Sequence, residues 1–464
     1  MIVTRRSMLK AGLAVSALPF MRSASLAESV AIELKAQIAE KRLMGDDTGA
    51  AQLWTYNGLN PGPEIRCRRS DRLSIAVENA LPQGTSVHWH GIRIDNAMDG
   101  VSGLTQAPID PGDSFTYDFT VPDAGTYWYH PHNRTWEQMA RGLYGPLIVE
   151  EEEPYPVDSE QVLVIDDWRL NEDGSLHEQS FGSGMDLSHA GRLGNWATVN
   201  GTSRPTYTFA RNERVRFRLI NSANARVIPL GFGDLPATLV ALDGQPLDTP
   251  MSLNGKQPLM MAPAQRADVV VDMTAAGALA VPGQDQAIPI ANLALNGEIS
   301  SALSSTPVRA LPTNNLPPPD LSSATSVNLL MQGGAMRWLE SGIYNGEQSD
   351  GRALSEKRQF WSFNGQVGRT DVPLFSIETG QTVIVEMIND TGWQHAMHFH
   401  GHHFREVVAE GAGRTLGPWR DTILLEPDER KEIAFVADNP GKWMIHCHML
   451  EHQAAGMATW FHVV

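Results

Sequence analysis

The chain repeats itself three times at domain-sized intervals, and this repetition limits the folds open to it more than any other feature. Trp54-Thr-Tyr-Asn-Gly58, Trp196-Ala-Thr-Val-Asn-Gly201 and Trp361-Ser-Phe-Asn-Gly365 recur at spacings of 142 and 165 residues. Each leads into a run of alternating apolar and polar residues that closes on an asparagine, at Asn79, Asn221 and Asn389. Alternation with a period of two, ended by a turn residue, predicts a half-buried strand. The spacing is too long for a solenoid, and the shared Trp and Asn-Gly argue against three unrelated strands. At 464 residues the chain is also too long for one hydrophobic core. The expectation is an all-β protein of three Greek-key β-sandwich domains, at residues 45–155, 160–303 and 320–464. The acidic stretch 150–156 and the proline-rich stretch 304–319 read as connectors, the second an ordered one.

Before these units stand Arg5-Arg6, an apolar run from Ala11 to Met21, and Ser25-Leu26-Ala27. This pattern predicts a twin-arginine signal peptide over residues 1–27, and with it the twin-arginine export machinery as a partner and a periplasmic location. The apolar run is too short for a stable membrane span. The net charge is −17, and loss of Arg5, Arg6, Lys10 and Arg22 would take it to −21. A surface so acidic repels phosphate backbones, which excludes nucleic acid as a partner. Cys67 and Cys447 are the only cysteines, so core packing and metal, not disulfides, must hold the fold. Cys67, between two arginines in a short alternating run, is expected to face the core.

Fifteen histidines placed at random would form roughly 0.5 His-x-His pairs. The chain has five: His88/His90, His130/His132, His398/His400, His400/His402 and His446/His448. Residues two apart on a strand share a face, so each pair is a ready chelate. Cys447, between His446 and His448, must point the other way. His395 differs from His398 and His400 by odd numbers and is therefore available to Cys447. With His452 and Met457, on a segment expected to be a loop, the set is two imidazoles, a thiolate and a thioether, which marks a blue-copper electron-transfer site. Structural zinc would call for a closed, cysteine-rich set. The other eight histidines exceed what one metal can use.

The segments His88-Trp-His90-Gly91, Tyr129-His130-Pro-His132, His395-Ala-Met-His398-Phe-His400-Gly401-His402 and His446-Cys447-His448-x3-His452-x4-Met457 resemble the four copper motifs of the multicopper oxidases, and the resemblance spans essentially the whole chain after residue 27. It implies cupredoxin-like domains, four copper ions, and a trinuclear cluster between the first and third domains. By this resemblance the type 1 copper takes His395, Cys447, His452 and axial Met457, and the type 2 copper takes His88 and His398. The type 3 pair takes His90, His130 and His448 on one ion, and His132, His400 and His446 on the other. Electrons would pass from a donor at the type 1 site along the Cys447 backbone to His446 and His448, and on to O2. The middle domain, holding only His177 and His189, would be a spacer without copper.

Asp99 matches the family's acid beside the type 2 site, and Gln453 replaces a glutamate found in related bacterial enzymes. An amide cannot donate a proton as an acid does. No methionine-rich segment precedes His395, and Met260-Met261 is expected to pack in the core. The reading favoured is laccase-like oxidation of phenols or aromatic amines by a monomer. The alternatives are cuprous oxidation in copper tolerance and non-catalytic periplasmic copper binding. His177, His189, His402, His403 and His462 are left to structural or solvated roles.

Overall fold

The computed structural model describes residues 29–253, 257–300, 306–411 and 413–464; the segment 1–27, expected to be a signal peptide, lies outside them. Strands dominate, and the four α-helices among the described residues, Thr135–Ala140, Gly184–Ser188, Gly351–Glu356 and Leu450–Ala454, are no longer than six residues each.

The threefold repeat is a repeat of sheet topology. In the first unit the Trp54 strand Ala51–Tyr56 pairs antiparallel with Ser29–Lys41, which runs parallel to the alternating strand Arg72–Asn79, which pairs antiparallel with Ser114–Thr120. The second unit has the same order in Trp196–Val199, Ser159–Trp168, Arg214–Asn221 and Arg266–Asp272. In the third it is Trp361–Phe363, Thr325–Gly333, Thr382–Thr391 and Arg430–Val436. A second sheet closes each unit over its own apolar core.

Two asparagines per unit explain the motif. Asn57, Asn200 and Asn364 have positive φ and precede positive-φ glycines, the left-handed pair that a tight turn between antiparallel strands needs. The terminal Asn79, Asn221 and Asn389 are fully buried and bond alike. Each amide donates to two carbonyls, and each Oδ1 accepts the N–H two residues on. Leaving such a buried group unpaired would cost about 1–3 kcal/mol. The same side chain therefore ends the same strand three times and aims the chain into the second sheet.

Three expectations need correction. The first domain does not begin at residue 45, because Ser29–Lys41 lies inside its sheet. The Ala, Glu, Lys and Leu content of that strand suits a helix, and parallel pairing with Arg72–Asn79 overrides it. Arg214–Asn221 is buried along its whole length rather than on one face. Its arginines meet acids at the seam with the first unit: Arg216 and Arg218 reach Asp268 and Glu160 of their own unit and Glu151 of the connector, and Asp268 also accepts the hydroxyl of Thr126 from the first unit at 2.6 Å. Third, His452 sits on the short helix Leu450–Ala454, not on a loop. Cys67 does face the core, with its thiol pushed up to about 12 by burial. Met260-Met261 splits, Met261 being buried and Met260 half exposed. In the 304–319 connector, Asn314 ties Ala124 of the first unit to Gln245 of the second.

Asp268 holds two arginines that are at most 1% exposed and is their most deeply buried partner, beside Glu151 and Glu160, so its loss breaks the driest part of this ion cluster. Asp268→Asn is expected to lower stability by about 3–5 kcal/mol. Urea unfolding measures it, and a loss below about 1 kcal/mol would contradict this account.

Candidate metal centres

The turns at Asn79 and Asn389 deliver histidines to matching places. Nine residues after each asparagine stands His88 or His398, and eleven after stands His90 or His400; the same offsets from Asn221 give Leu230 and Phe232. His88 pairs across its sheet with His130, and His398 with His446. The two units meet with these strands crossed, so that His88 stacks on His400 at 3.9 Å and His90 on His398 at 3.8 Å between ring centroids.

Eight imidazoles converge in this seam, each at most 5% exposed. His130 Nε2 stands 3.3 Å from His90 Nδ1 and 3.4 Å from His448 Nε2. His446 Nε2 stands 3.4 Å from His132 Nε2 and 3.2 Å from His400 Nε2. Each triad draws two rings from one unit and one from the other. His88 Nε2 and His398 Nε2 are buried without any partner.

In six of the eight rings the opposite nitrogen is held by the protein. Nδ1 of His88, His398, His130 and His446 donates to the carbonyls of Asp99, Asp421, Pro131 and Cys447 at 2.8–3.0 Å. His400 Nδ1 donates to the Asp99 carboxylate at 3.0 Å, and His90 Nε2 lies 3.3 Å from Asp421 Oδ1. Fixing one nitrogen leaves the other as a lone-pair donor aimed into the cluster, which is how metal-binding histidines are oriented. Burial, reinforced by neighbouring imidazoles, drives His130, His132, His400, His446 and His448 well below the ordinary histidine range. Neutral lone pairs facing one another at these distances fit metal ions.

The second set lies behind the cluster in the core of the third unit. Cys447 Sγ is 3.6 Å from His395 Nδ1 and 3.7 Å from His452 Nδ1, and the two nitrogens are 3.1 Å apart. Met457 is fully buried in the same core cluster, and its carbonyl accepts the Cys447 N–H at 3.1 Å. Burial raises the Cys447 thiol to about 12 and lowers His452 to about 4, so a metal entering here must displace the thiol proton and meets neutral imidazoles. His452 is itself 0% exposed, and its Nε2 donates to the His189 carbonyl at 2.6 Å. Among the other leftover histidines, His402 and His403 are buried near the cluster, and His462 is half-buried on the final strand Ala458–Val463.

Sequence reasoning missed Asp421 and Arg266. Asp421 is fully buried; burial alone would raise its pKa, but the Arg266 guanidinium and His90 overcome this and hold it well below the carboxylate range. Arg266, from the middle unit, grips both Asp421 oxygens at 2.9 and 2.6 Å. The one available signal was an aspartate at the head of an apolar strand, Thr422–Leu425. Gly91, at φ +86°, lies against this pair, and a Cβ there would strike the Arg266 guanidinium. The middle unit is therefore more than a spacer: it carries Arg266 and covers His452 with His189.

Models of the multicopper oxidase family match residues 37–154, 159–281 and 347–464. The chain is 31% identical to multicopper oxidase MmcO of Mycobacterium tuberculosis, over 87% of this chain and 82% of that one. It is 39% identical to the crystal structure of Lac15 from a marine microbial metagenome, covering 93% of this chain and all of that one with a TM-score of 0.75. A multi-copper oxidase from Pseudomonas thermotolerans superimposes with a TM-score of 0.80 at 31% identity, over 94% of this chain and all of that one. With three cupredoxin units and histidine clusters that fit copper, the chain belongs to the multicopper oxidases, oxidoreductases that pass electrons from a reducing donor to O2.

Proposed function

We propose that this protein is a laccase-like oxidase that takes single electrons from phenols and aromatic amines and reduces O2 to water with four. It would hold four copper ions: one type 1 at His395, Cys447, His452 and Met457; one type 2 at His88 and His398; and a type 3 pair at His90, His130, His448 and at His132, His400, His446. One observation carries this reading. Cys447 faces His395 and His452, whereas its neighbours His446 and His448 enter different imidazole triads. Three consecutive residues thus join an electron-accepting site to both halves of the cluster.

When bound, the copper ions supply the one-electron acceptor and the place where O2 is reduced. The protein supplies geometry and protons. Asp99, 1% exposed, bonds to His400 Nδ1 and lies 3.2 Å from His88 Nδ1, so one carboxylate aligns rings from both units and can hold a proton beside them. Asp421 orients His90 through its carboxylate and His398 through its backbone carbonyl, and Arg266 keeps that carboxylate ionised. A cavity of about 380 Å³ reaches His132 from the surface between Gln453 and Arg369, open to water and O2. With an amide at 453, protons on this side come from water rather than from a side-chain acid.

A second reading, cuprous oxidation, has one observation behind it. Met185 and Met336, 63% and 82% exposed, flank the hydrogen bond from Ala335 N–H to the Ser188 carbonyl, next to His189, and soft thioethers suit cuprous ion. Arg5-Arg6 supports twin-arginine export to the periplasm, and a chain holding both copper-binding units can act as a monomer. No helix among the described residues is long and apolar enough to cross a membrane.

Oxygen uptake by copper-loaded protein tests the assignment: consumption is expected with a phenolic dye and an aromatic amine. Uptake with cuprous ion alone would favour the second reading, and none with any donor would indicate a copper-binding role. Met457→Leu is expected to raise the type 1 potential in a redox titration, and an unchanged potential would remove Met457 from the ligand set. Asp421→Asn should weaken copper retention at the cluster about 10–100-fold in a chelator competition and alter the type 2 EPR spectrum; native retention would show that Asp421 does not position these rings.

A further inference from the structure

The buried state of His452 raises a question about electron entry. A donor cannot touch a ring that is 0% exposed and whose outward nitrogen is bound to the His189 carbonyl. Besides His395 and Cys447, the ring is packed from within the third unit by Trp361, the last of the three repeated tryptophans. Its ring lies 4.3 Å from His452 and 5.1 Å from His395 between centroids, and its Nε1–H donates to the Leu187 carbonyl. Trp54 and Trp196 stand near no histidine cluster: the first lies under Arg141, and the second bonds the Leu43 carbonyl.

Phe360 leads outward from Trp361. The N–H groups of both residues donate to the Ala455 carbonyl, three residues after His452. The Phe360 ring meets Trp338 edge to face at 6.0 Å, and Trp338 is 57% exposed. These two rings are walls of a cavity of about 620 Å³, whose lining also includes Glu340, Asp350, Arg352 and Gln359. The Gln359 amide reaches the Ala454 carbonyl on the His452 helix at 3.4 Å. Trp338 and Phe360 on the cavity side and Trp361 on the imidazole side, joined through the Phe360–Trp361 backbone, thus link a surface cavity to both imidazoles of the Cys447 set.

We propose that this cavity is the donor site and that it takes aromatic amines, an inference that rests on the oxidase reading above and names its substrate class. Trp338 and Phe360 offer ring faces and edges to an aromatic donor. Asp350 already accepts the Ala353 N–H as a helix cap, which leaves Glu340 to accept an amine N–H. On giving up one electron the amine becomes a radical cation and then loses its N–H proton to water. The electron would pass by way of Phe360 and Trp361 to the cupric ion that His395, Cys447, His452 and Met457 would hold, and from there to O2. A carboxylate at the rim favours a donor that turns positive as it reacts, so amines are preferred over neutral phenols.

The test uses the copper-loaded protein and its variants Trp338→Ala, Trp338→Phe and Glu340→Gln. Binding is read with 4-nitroaniline, an aromatic amine too electron-poor to react, by quenching of tryptophan fluorescence and by calorimetry. Trp338→Ala is expected to weaken this binding and raise KM for an oxidisable aromatic amine by about tenfold. The thiolate-to-cupric absorption should stay unchanged, and Trp338→Phe should restore most of the loss. Glu340→Gln should lower the ratio of amine to phenol kcat/KM. Unaltered 4-nitroaniline binding and KM in Trp338→Ala would overturn the proposal. If the native protein oxidised cuprous ion but no aromatic donor, the oxidase assignment to aromatic donors would fall, and with it the role of the cavity as a donor site, whatever 4-nitroaniline did.

Discussion

His446, Cys447 and His448 project alternately from the end of one strand, and three of the proposed copper positions depend on that alternation. With a side-chain period of two, neighbours on an extended chain cannot reach the same centre, while residues two apart can reach adjacent ones. The strand Gly441–Cys447 is held in register between His395–Phe399 and Ala458–Val463. A slip of one residue would turn the thiol toward the cluster and both imbedded imidazoles toward the core. The Cys447 N–H bond to Met457 and the His448 N–H bond to Ala396 pin the three residues where the regular pairing ends.

The cluster is a consequence of duplication. The first and third units share a strand order and a terminal asparagine turn, and each turn places two histidines at the same offsets. Packed against one another, they make triads that mirror each other: His90 answers His400, His130 answers His446, and His448 answers His132. Neither unit could build such a triad alone, since each needs one imidazole from across the seam. The middle unit carries the identical turn at Asn221, but Leu230 and Phe232 stand at the histidine positions and pack into its own core.

A unit without histidine ligands can still govern a metal site. Arg266 crosses from the middle unit to Asp421, whose carboxylate and carbonyl orient His90 and His398. His189 from the same unit closes the outer face of His452. The buried arginines of Arg214–Asn221 anchor this unit to the first one through Asp268 and Thr126, so the Arg266 bridge starts from a fixed base. Buried charge of this kind costs desolvation and offers little net stability; its effect here is to set the positions of rings that belong to other units.

Strand parity and the spacing of His, Cys and Met singled out the candidate ligands, the resemblance to the multicopper oxidases added Asp99, and the threefold Trp and Asn-Gly repeat pointed to three sandwiches. Those features are local: an extended backbone fixes which way each side chain points, and an asparagine turn ends a strand through bonds to residues close by. The sequence hid the strand Ser29–Lys41, whose composition suits a helix, and the two-sided burial of Arg214–Asn221, whose polar positions look solvated until acids from other segments meet them. It also hid Asp421, Arg266 and the cover over His452. These depend on contacts between residues more than a hundred positions apart, as with Arg266 and Asp421 or His189 and His452. Only the docking of folded units decides such contacts, because no local backbone rule relates the faces that two domains present to each other.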